Sequence, residues 1–351
     1  MKRRVVIVDD SPIVRTLLRE WLEADGDLDV VGEASDGVSA IDLITRLRPD
    51  VATVDLRMPG ISGLELITFL MARAPLPILV LTGEVTRDDA SLAFEAVRRG
   101  ALDLLPKPSA LDEEAIRSLR ARVRWLATVP VVRHIDSNKP IDPKPEPVPV
   151  LPRFLRTSGD PVVVGIAASA GGPTALAAVI GSLSTELPMC LAIVQHLPKG
   201  FAPSFVSFLQ ARCSLAVRLA EPGMVPPVAT VVLAPDGHHL ELIDGRFALT
   251  NGPPVDGHRP SGSVLLRSLA GLGSSAIGVV LSGIGRDGAD GLRAMRDHQS
   301  ITFAQDASTS VVYGMPRAAF EEGAAQHVLP VGELGEAIAT AVLNARRKRS
   351  T

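Results

Sequence analysis

Polar residues end four apolar runs in the first third of the chain. Asp9 and Asp10 end RVVIV, Asp55 ends VATVD, Thr82 ends LPILVL, and Lys107 follows DLLP. Carboxylates, a hydroxyl and an ammonium at the ends of successive parallel strands would meet at one edge of a sheet, where open α/β folds bind ligands. Grouped carboxylates can hold Mg²⁺, and one of them can accept a phosphoryl group as an acyl phosphate. The plainer reading of the same residues is a set of unrelated strand caps.

A second group lies further along. Val162–Ala168 ends in Ser169 within GIAASAGGP, Cys190–Gln195 ends in His196, and Ala276–Gly283 leads to Asp287 within LSGIGRDGADG. Strand ends of a parallel sheet share one rim, so these three can converge as nucleophile, base and orienting acid. Gly171 and Gly172 allow a sharp turn after Ser169, and Pro173 suits the start of a helix running to about Leu183. A hydroxyl there would face free N–H groups that favour developing negative charge. The competing idea, a glycine-rich phosphate loop, lacks both GxGxxG and GxxxxGK[ST]. The GxSxG elbow of α/β-hydrolases is absent too. His238 and His239 after VVLAPDG, and Asp306 after ITFAQ, compete with His196 and Asp287. The residues alone leave that choice open.

The elements that would position these groups alternate regularly. Strands are expected at Val5–Val8, Asp29–Gly32, Val51–Asp55, Pro77–Leu81 and Leu102–Leu105, with helices between them. One helix is expected over Pro12–Ala24, with Ile13, Val14, Leu17, Leu18, Trp21 and Leu22 in period and Ser11 as its cap. The last, near Ala110–Ala127, would bury Leu111, Ala115, Leu119, Val123 and Leu126. The pattern stops at Ser137–Pro152, where Pro140, Pro143, Pro145, Pro147, Pro149 and Pro152 predict an extended linker. Strands resume at Val162–Ala168, Cys190–Gln195, Thr230–Ala234, Ala276–Ser282 and Ile301–Ala304, with a hairpin near His239–Leu249. The fold class is therefore α/β, in two doubly wound three-layer domains with mostly parallel sheets. The boundaries fall at 1–127 and 159–345, with a proline-rich linker over 128–158.

Composition agrees. A chain of 351 residues with 46% hydrophobic and only 3% aromatic content implies large aliphatic cores. A net charge of −3 gives no ground for nucleic-acid binding, and the basic ends Lys2–Arg4 and Arg346–Arg349 read as solubilising. Two cysteines without CxxC spacing suit a reducing compartment. No apolar run approaches the ~18 residues of a membrane span, and the start reads directly into a strand rather than a signal peptide. The expectation is a soluble, cytoplasmic protein without direct membrane insertion.

Residues 1–125, with Asp9, Asp10, Asp55, Thr82 and Lys107 in that strand order, resemble the receiver domain of two-component response regulators, which is flavodoxin-like. The resemblance implies that Asp55 is the phospho-acceptor, that Asp9 and Asp10 bind Mg²⁺ with it, and that Thr82 and Lys107 contact the phosphoryl group. Many receivers carry an aromatic switch three residues before the lysine, where this chain has Leu104.

Val162–Val331 is similar to the Rossmann-like catalytic domain of chemotaxis protein-glutamate methylesterases, the CheB family. GIAASAGGP, VQHLPKGF, LAPDGHHLEL, LSGIGRDGADG and QDASTSVVYGMPRAA carry that similarity. It implies Ser169 as nucleophile, His196 as base, Asp287 as its orienter and the Ile284 backbone N–H at the oxyanion, where the family has Met. Ala170 stands where many members have Thr. Arg259-Pro260-Ser261 and Gly314-Met315-Pro316 match segments near the family's site, with a structural role equally open.

The implied activity is phosphorylation-activated hydrolysis of glutamate γ-methyl esters on methyl-accepting chemoreceptors, with glutamine deamidation permitted by the same triad. A chemotaxis histidine kinase would donate the phosphoryl group, and hydrolysis itself would need no cofactor. The tethered receiver would cover the active-site mouth until phosphorylated, or else recruit the enzyme. Two other functions remain: a non-catalytic regulator, which predicts a broken triad, and a serine hydrolase acting on another ester.

Overall fold

A computed structural model describes residues 2–83, 87–129 and 161–349. The chain divides into two compact units, Met1–Asp142 and Pro143–Thr351. The proline-rich stretch Ser137–Pro152 lies outside the described residues.

In the first unit, β1 (Arg3–Val8), β2 (Leu28–Ala34), β3 (Val51–Asp55), β4 (Ile78–Thr82) and β5 (Asp103–Pro106) form one parallel sheet. Its order is β2-β1-β3-β4-β5. Every residue of β3 and β4 is buried, as expected of central parallel strands covered on both faces. Helices Pro12–Glu23 and Glu113–Leu126 touch one another, while Gly37–Leu47, Gly63–Arg73 and Arg87–Arg98 form a second contiguous group. The chain order reverses between β1 and β3, so Asp9 and Asp55 leave the sheet on either side of the crevice that such a reversal opens.

Ser11 caps the first helix by accepting the Val14 amide, as its sequence suggests. The last helix begins later than its apolar period predicts. Asp112 accepts the Ala115 amide at 2.9 Å and sets the start at Glu113, which leaves Leu111 outside the helix and 96% exposed. Leu119, Val123 and Leu126 form its buried face. Trp21 and Trp125 both belong to this unit.

The second unit contains β6 (Val162–Ala168), β7 (Met189–Gln195), β8 (Ala216–Leu219), β9 (Thr230–Leu233), β10 (His239–Ile243), β11 (Arg246–Thr250), β12 (Ala276–Val280), β13 (Ile301–Gln305) and β14 (His327–Leu329). Seven of them make a wholly parallel sheet in the order β14-β13-β12-β6-β7-β9-β8. The antiparallel pair β10–β11 is the expected hairpin. β8 and β14 escaped the sequence reading because they are short edge strands, AVRL and HVL, without a continuous apolar run.

β6 and β7 are buried along their whole length. Helix Gly262–Leu269 lies directly on β6: a Cβ on Gly165 would stand 2.6 Å from Leu269 and 2.7 Å from Leu266. Cys190, in β7, is fully buried, and burial pushes its thiol up to about 12. Here the strand order reverses between β6 and β12. Ser169 and Asp287 follow those two strands, and His196 follows β7.

Candidate functional sites

At the rim of the first sheet, one oxygen from each of Asp9, Asp10 and Asp55 lies within 4.8 Å of the others. Asp9 and Asp55 are buried and Asp10 is exposed. Lys107 Nζ stands 2.7 Å from Asp9 Oδ2 and 2.7 Å from Asp55 Oδ2, closing the cluster from β5. Burial pushes the Asp9 carboxyl above its ordinary value, against the opposing pull of Lys107 and the Ser11 amide. Burial also works against the Lys107 ammonium, but its hydrogen bonds to Asp55 and Asp9 outweigh that, and it is held above its ordinary value.

Thr82 Oγ1, at the end of β4, is buried without a hydrogen-bond partner. A partnerless buried hydroxyl at the same sheet rim, where the Lys107 amide bonds the Thr82 carbonyl at 2.7 Å, suits an anionic oxygen arriving from outside. Leu104, three residues before Lys107, is a buried aliphatic side chain, 4% exposed. The oxygen-only donor set fits a hard divalent cation.

At the rim of the second sheet, Ala168 pairs with Gln195, and the His196 amide donates to Ala168 O at 3.0 Å. The backbones bearing Ser169 and His196 are thereby neighbours. Gln195, which the sequence reading passed over, strengthens the link: its Nε2 donates to Ser169 O at 2.8 Å and to His196 O at 3.1 Å.

His196 Nε2 lies 2.8 Å from Asp287 Oδ2. Burial raises the Asp287 carboxyl, but the His196 hydrogen bond and charge, with Ser261 and the Ser263 amide, outweigh it and hold the group well below the ordinary carboxylate range. An ionised carboxylate only accepts, so a proton sits on Nε2, and in the neutral form of the ring the lone pair is on Nδ1. Nδ1 is buried and has no hydrogen-bond partner, so the His196–Asp287 pair is formed and no bond joins Nδ1 to Ser169. Such bonds are often long before substrate arrives.

Asp287 is fixed by the start of helix Gly262–Leu269. Its Oδ1 accepts Ser261 Oγ at 2.6 Å, Ser263 N at 2.9 Å and Gly288 N at 2.9 Å, and its Oδ2 accepts Gly262 N at 2.6 Å. Ser261 caps the helix through the Val264 amide. The Ser261 amide in turn donates to Nδ1 of His239, whose Nε2 lies 3.0 Å from Pro253 O.

The competing residues are thus accounted for. His239 is a buried strut, His238 bonds Asp236 O within its turn, and Asp306 caps Ser308 and Thr309. Gly283 comes against Ser169: a Cβ there would lie 2.9 Å from Ser169 Cβ and 2.1 Å from Met315 Sδ. Met315 therefore has a packing role behind Ser169. The Ile284 amide donates to nothing among the described residues.

Residues 164–338 match the CheB methylesterase family and residues 5–118 the response regulator receiver domain. The chain is 42% identical to protein-glutamate methylesterase/protein-glutamine glutaminase 2 of Anaeromyxobacter dehalogenans, over 95% of its own length and 96% of that protein's. This chain belongs to the CheB methylesterase family. A further relative, from Nitrosospira multiformis, is 38% identical over 96% of each chain. The crystal structure of the Thermotoga maritima CheB methylesterase catalytic domain aligns with a TM-score of 0.50 and 33% identity, over 52% of this chain and 99% of that one.

What the family motifs did not single out as essential, Ser261 and Gln195, hold Asp287 and the Ser169–His196 backbones in this CheB chain. HRPS, the segment that contains Ser261, carried the only sequence signal for it.

Proposed function

We propose that this CheB-family chain hydrolyses glutamate γ-methyl esters on methyl-accepting chemoreceptors, and that phosphorylation of Asp55 raises the rate. The observation that carries the hydrolase reading is the 2.8 Å pair of His196 Nε2 and Asp287 Oδ2, which leaves Nδ1 available as the base in the neutral ring, on a backbone that neighbours that of Ser169. Nδ1 takes the Ser169 proton as Oγ attacks the ester carbonyl carbon. The Ile284 amide donates to the resulting oxyanion. The imidazolium returns its proton to the methoxide, methanol leaves, and a water activated by the same nitrogen splits the acyl-enzyme to a glutamate carboxylate. With a glutamine side chain the leaving group is ammonia, and the steps are otherwise the same.

In the receiver, residues 1–127, a phosphoryl group would pass from a phosphohistidine of a chemotaxis histidine kinase to an Asp55 oxygen. When held by Asp9, Asp10 and Asp55, Mg²⁺ supplies charge neutralisation for the phosphoryl oxygens. Lys107 and Thr82 would then bind those oxygens, Lys107 by charge and Thr82 by its free hydroxyl. The hydrolase occupies 159–345, and residues 128–158 join the two. The cytoplasm is where kinase and receptor signalling helices would meet the chain. Among the described residues no helix is long and apolar enough to cross a membrane.

The test is methanol release from methylated receptor, with and without acetyl phosphate. Wild type should release methanol faster with the phosphodonor, and Ser169→Ala should release none. A Ser169→Ala variant working at the wild-type rate would end the assignment.

A further inference from the structure

The strap between β11 and helix Gly262–Leu269 carries an imidazole that the mechanism above leaves without a task. Asp256 and Gly257 have φ of +50° and +80°, and Val255 and His258 exchange backbone hydrogen bonds of 3.1 and 2.9 Å across them. This is the two-residue turn with both central residues left-handed, for which Asp-Gly is well suited. It sets His258 at the foot of a rigid bridge. The His258 ring lies on the His196 ring, centroids 3.6 Å apart and planes 14° from parallel.

Apart from that stack, the His196 ring is anchored covalently at Cβ and by the hydrogen bond at Nε2. A planar ring fixed at those two points can still tilt about the line joining them. That tilt swings Nδ1, the unpartnered nitrogen, out of line with an attacking hydroxyl. A second ring in van der Waals contact with the face blocks the tilt on one side and keeps water from that face.

We propose that His258 is a positioning residue: its stacked ring sets the plane of His196 and so the direction of the Nδ1 lone pair. The inference rests on the esterase reading above. It asks for a flat ring at 258 and not for an ionisable one. Stacked aromatic pairs contribute enough that losing one should slow the chemical step roughly tenfold.

Full-length His258→Ala and His258→Phe are compared with wild type in two assays. Methanol release from methylated receptor gives kcat and KM. Labelling of Ser169 by a fluorophosphonate reads the activated hydroxyl without the receptor. His258→Ala should lose about tenfold in kcat and in labelling rate, with KM within about twofold. His258→Phe should recover most of both. Equal rates for His258→Ala and wild type, or a phenylalanine variant no better than alanine with the fold intact by circular dichroism, overturn the proposal. Wild type that labels at Ser169 yet releases no methanol refutes the substrate reading instead, and the labelling comparison still decides the role of His258.

Discussion

Replacing Ser261 by alanine removes the 2.6 Å hydroxyl donor to Asp287 Oδ1 and the cap on the Val264 amide in one step. A hydrogen bond to a charged group contributes about 1.5–3 kcal/mol, and a serine cap about 1 kcal/mol. Ser263 N and Gly288 N still serve Oδ1, and Gly262 N still serves Oδ2, so the carboxylate stays partly satisfied. The expected loss is therefore about 3 kcal/mol, near the lower end of the sum.

The pH dependence of that loss carries the diagnosis. Asp287 is held below its ordinary value by His196, Ser261 and Ser263 despite its burial. A carboxyl depressed in the folded state stabilises fully above its unfolded value, about 3.9, and the contribution fades as pH falls below it. The Ser261→Ala deficit should therefore be undiminished between pH 7 and about pH 4, because Asp287 stays ionised in the folded protein across that window. Scanning calorimetry of the hydrolase transition at both pH values measures it. Methanol release should drop about tenfold at pH 7 as Asp287 loosens under His196. A variant with wild-type stability and turnover at pH 7 would show that the helix start holds Asp287 without its serine.

Three further outcomes are expected. Asp55→Asn should take up no phosphate from acetyl phosphate and should show no phosphodonor-stimulated methanol release; full stimulation in that variant would contradict the receiver reading. Lys107→Ala leaves Asp9 and Asp55 without their shared cation, a loss on the order of 3–5 kcal/mol for a buried pair. Mg²⁺ should then raise the melting temperature of the variant by more than that of wild type, and an equal shift in both would count against the carboxylate site. Gly283→Ala sets a methyl 2.9 Å from Ser169 Cβ. Overpacking of about 1–3 kcal/mol and a roughly hundredfold fall in kcat should follow, measured by melting and methanol release.

The positions of the strand-end polar residues were legible because most of them close or directly follow a largely apolar, buried run. Asp9, Asp55 and Thr82 close β1, β3 and β4, while Ser169 and His196 directly follow the fully buried β6 and β7. The short edge strands β8 and β14 gave no such signal, since neither carries a continuous apolar run. Supporting residues were hidden for a different reason. His258, Ser261 and Gln195 act through contacts made only after folding, such as the 26 positions separating Ser261 from Asp287. Leu111 misled because apolar period extends the helix, whereas the Asp112 side chain ends it.

Both tryptophans lie in the receiver unit, and both cysteines, Cys190 and Cys213, lie in the hydrolase unit. The chain therefore carries a separate spectroscopic or chemical reporter in each half. Once Cys213 is replaced, alkylation of Cys190 would time the opening of the hydrolase strand that precedes His196, while indole emission follows the receiver in the same tube. Whether adding a phosphodonor loosens one half as it tightens the other could then be watched without introducing any foreign label.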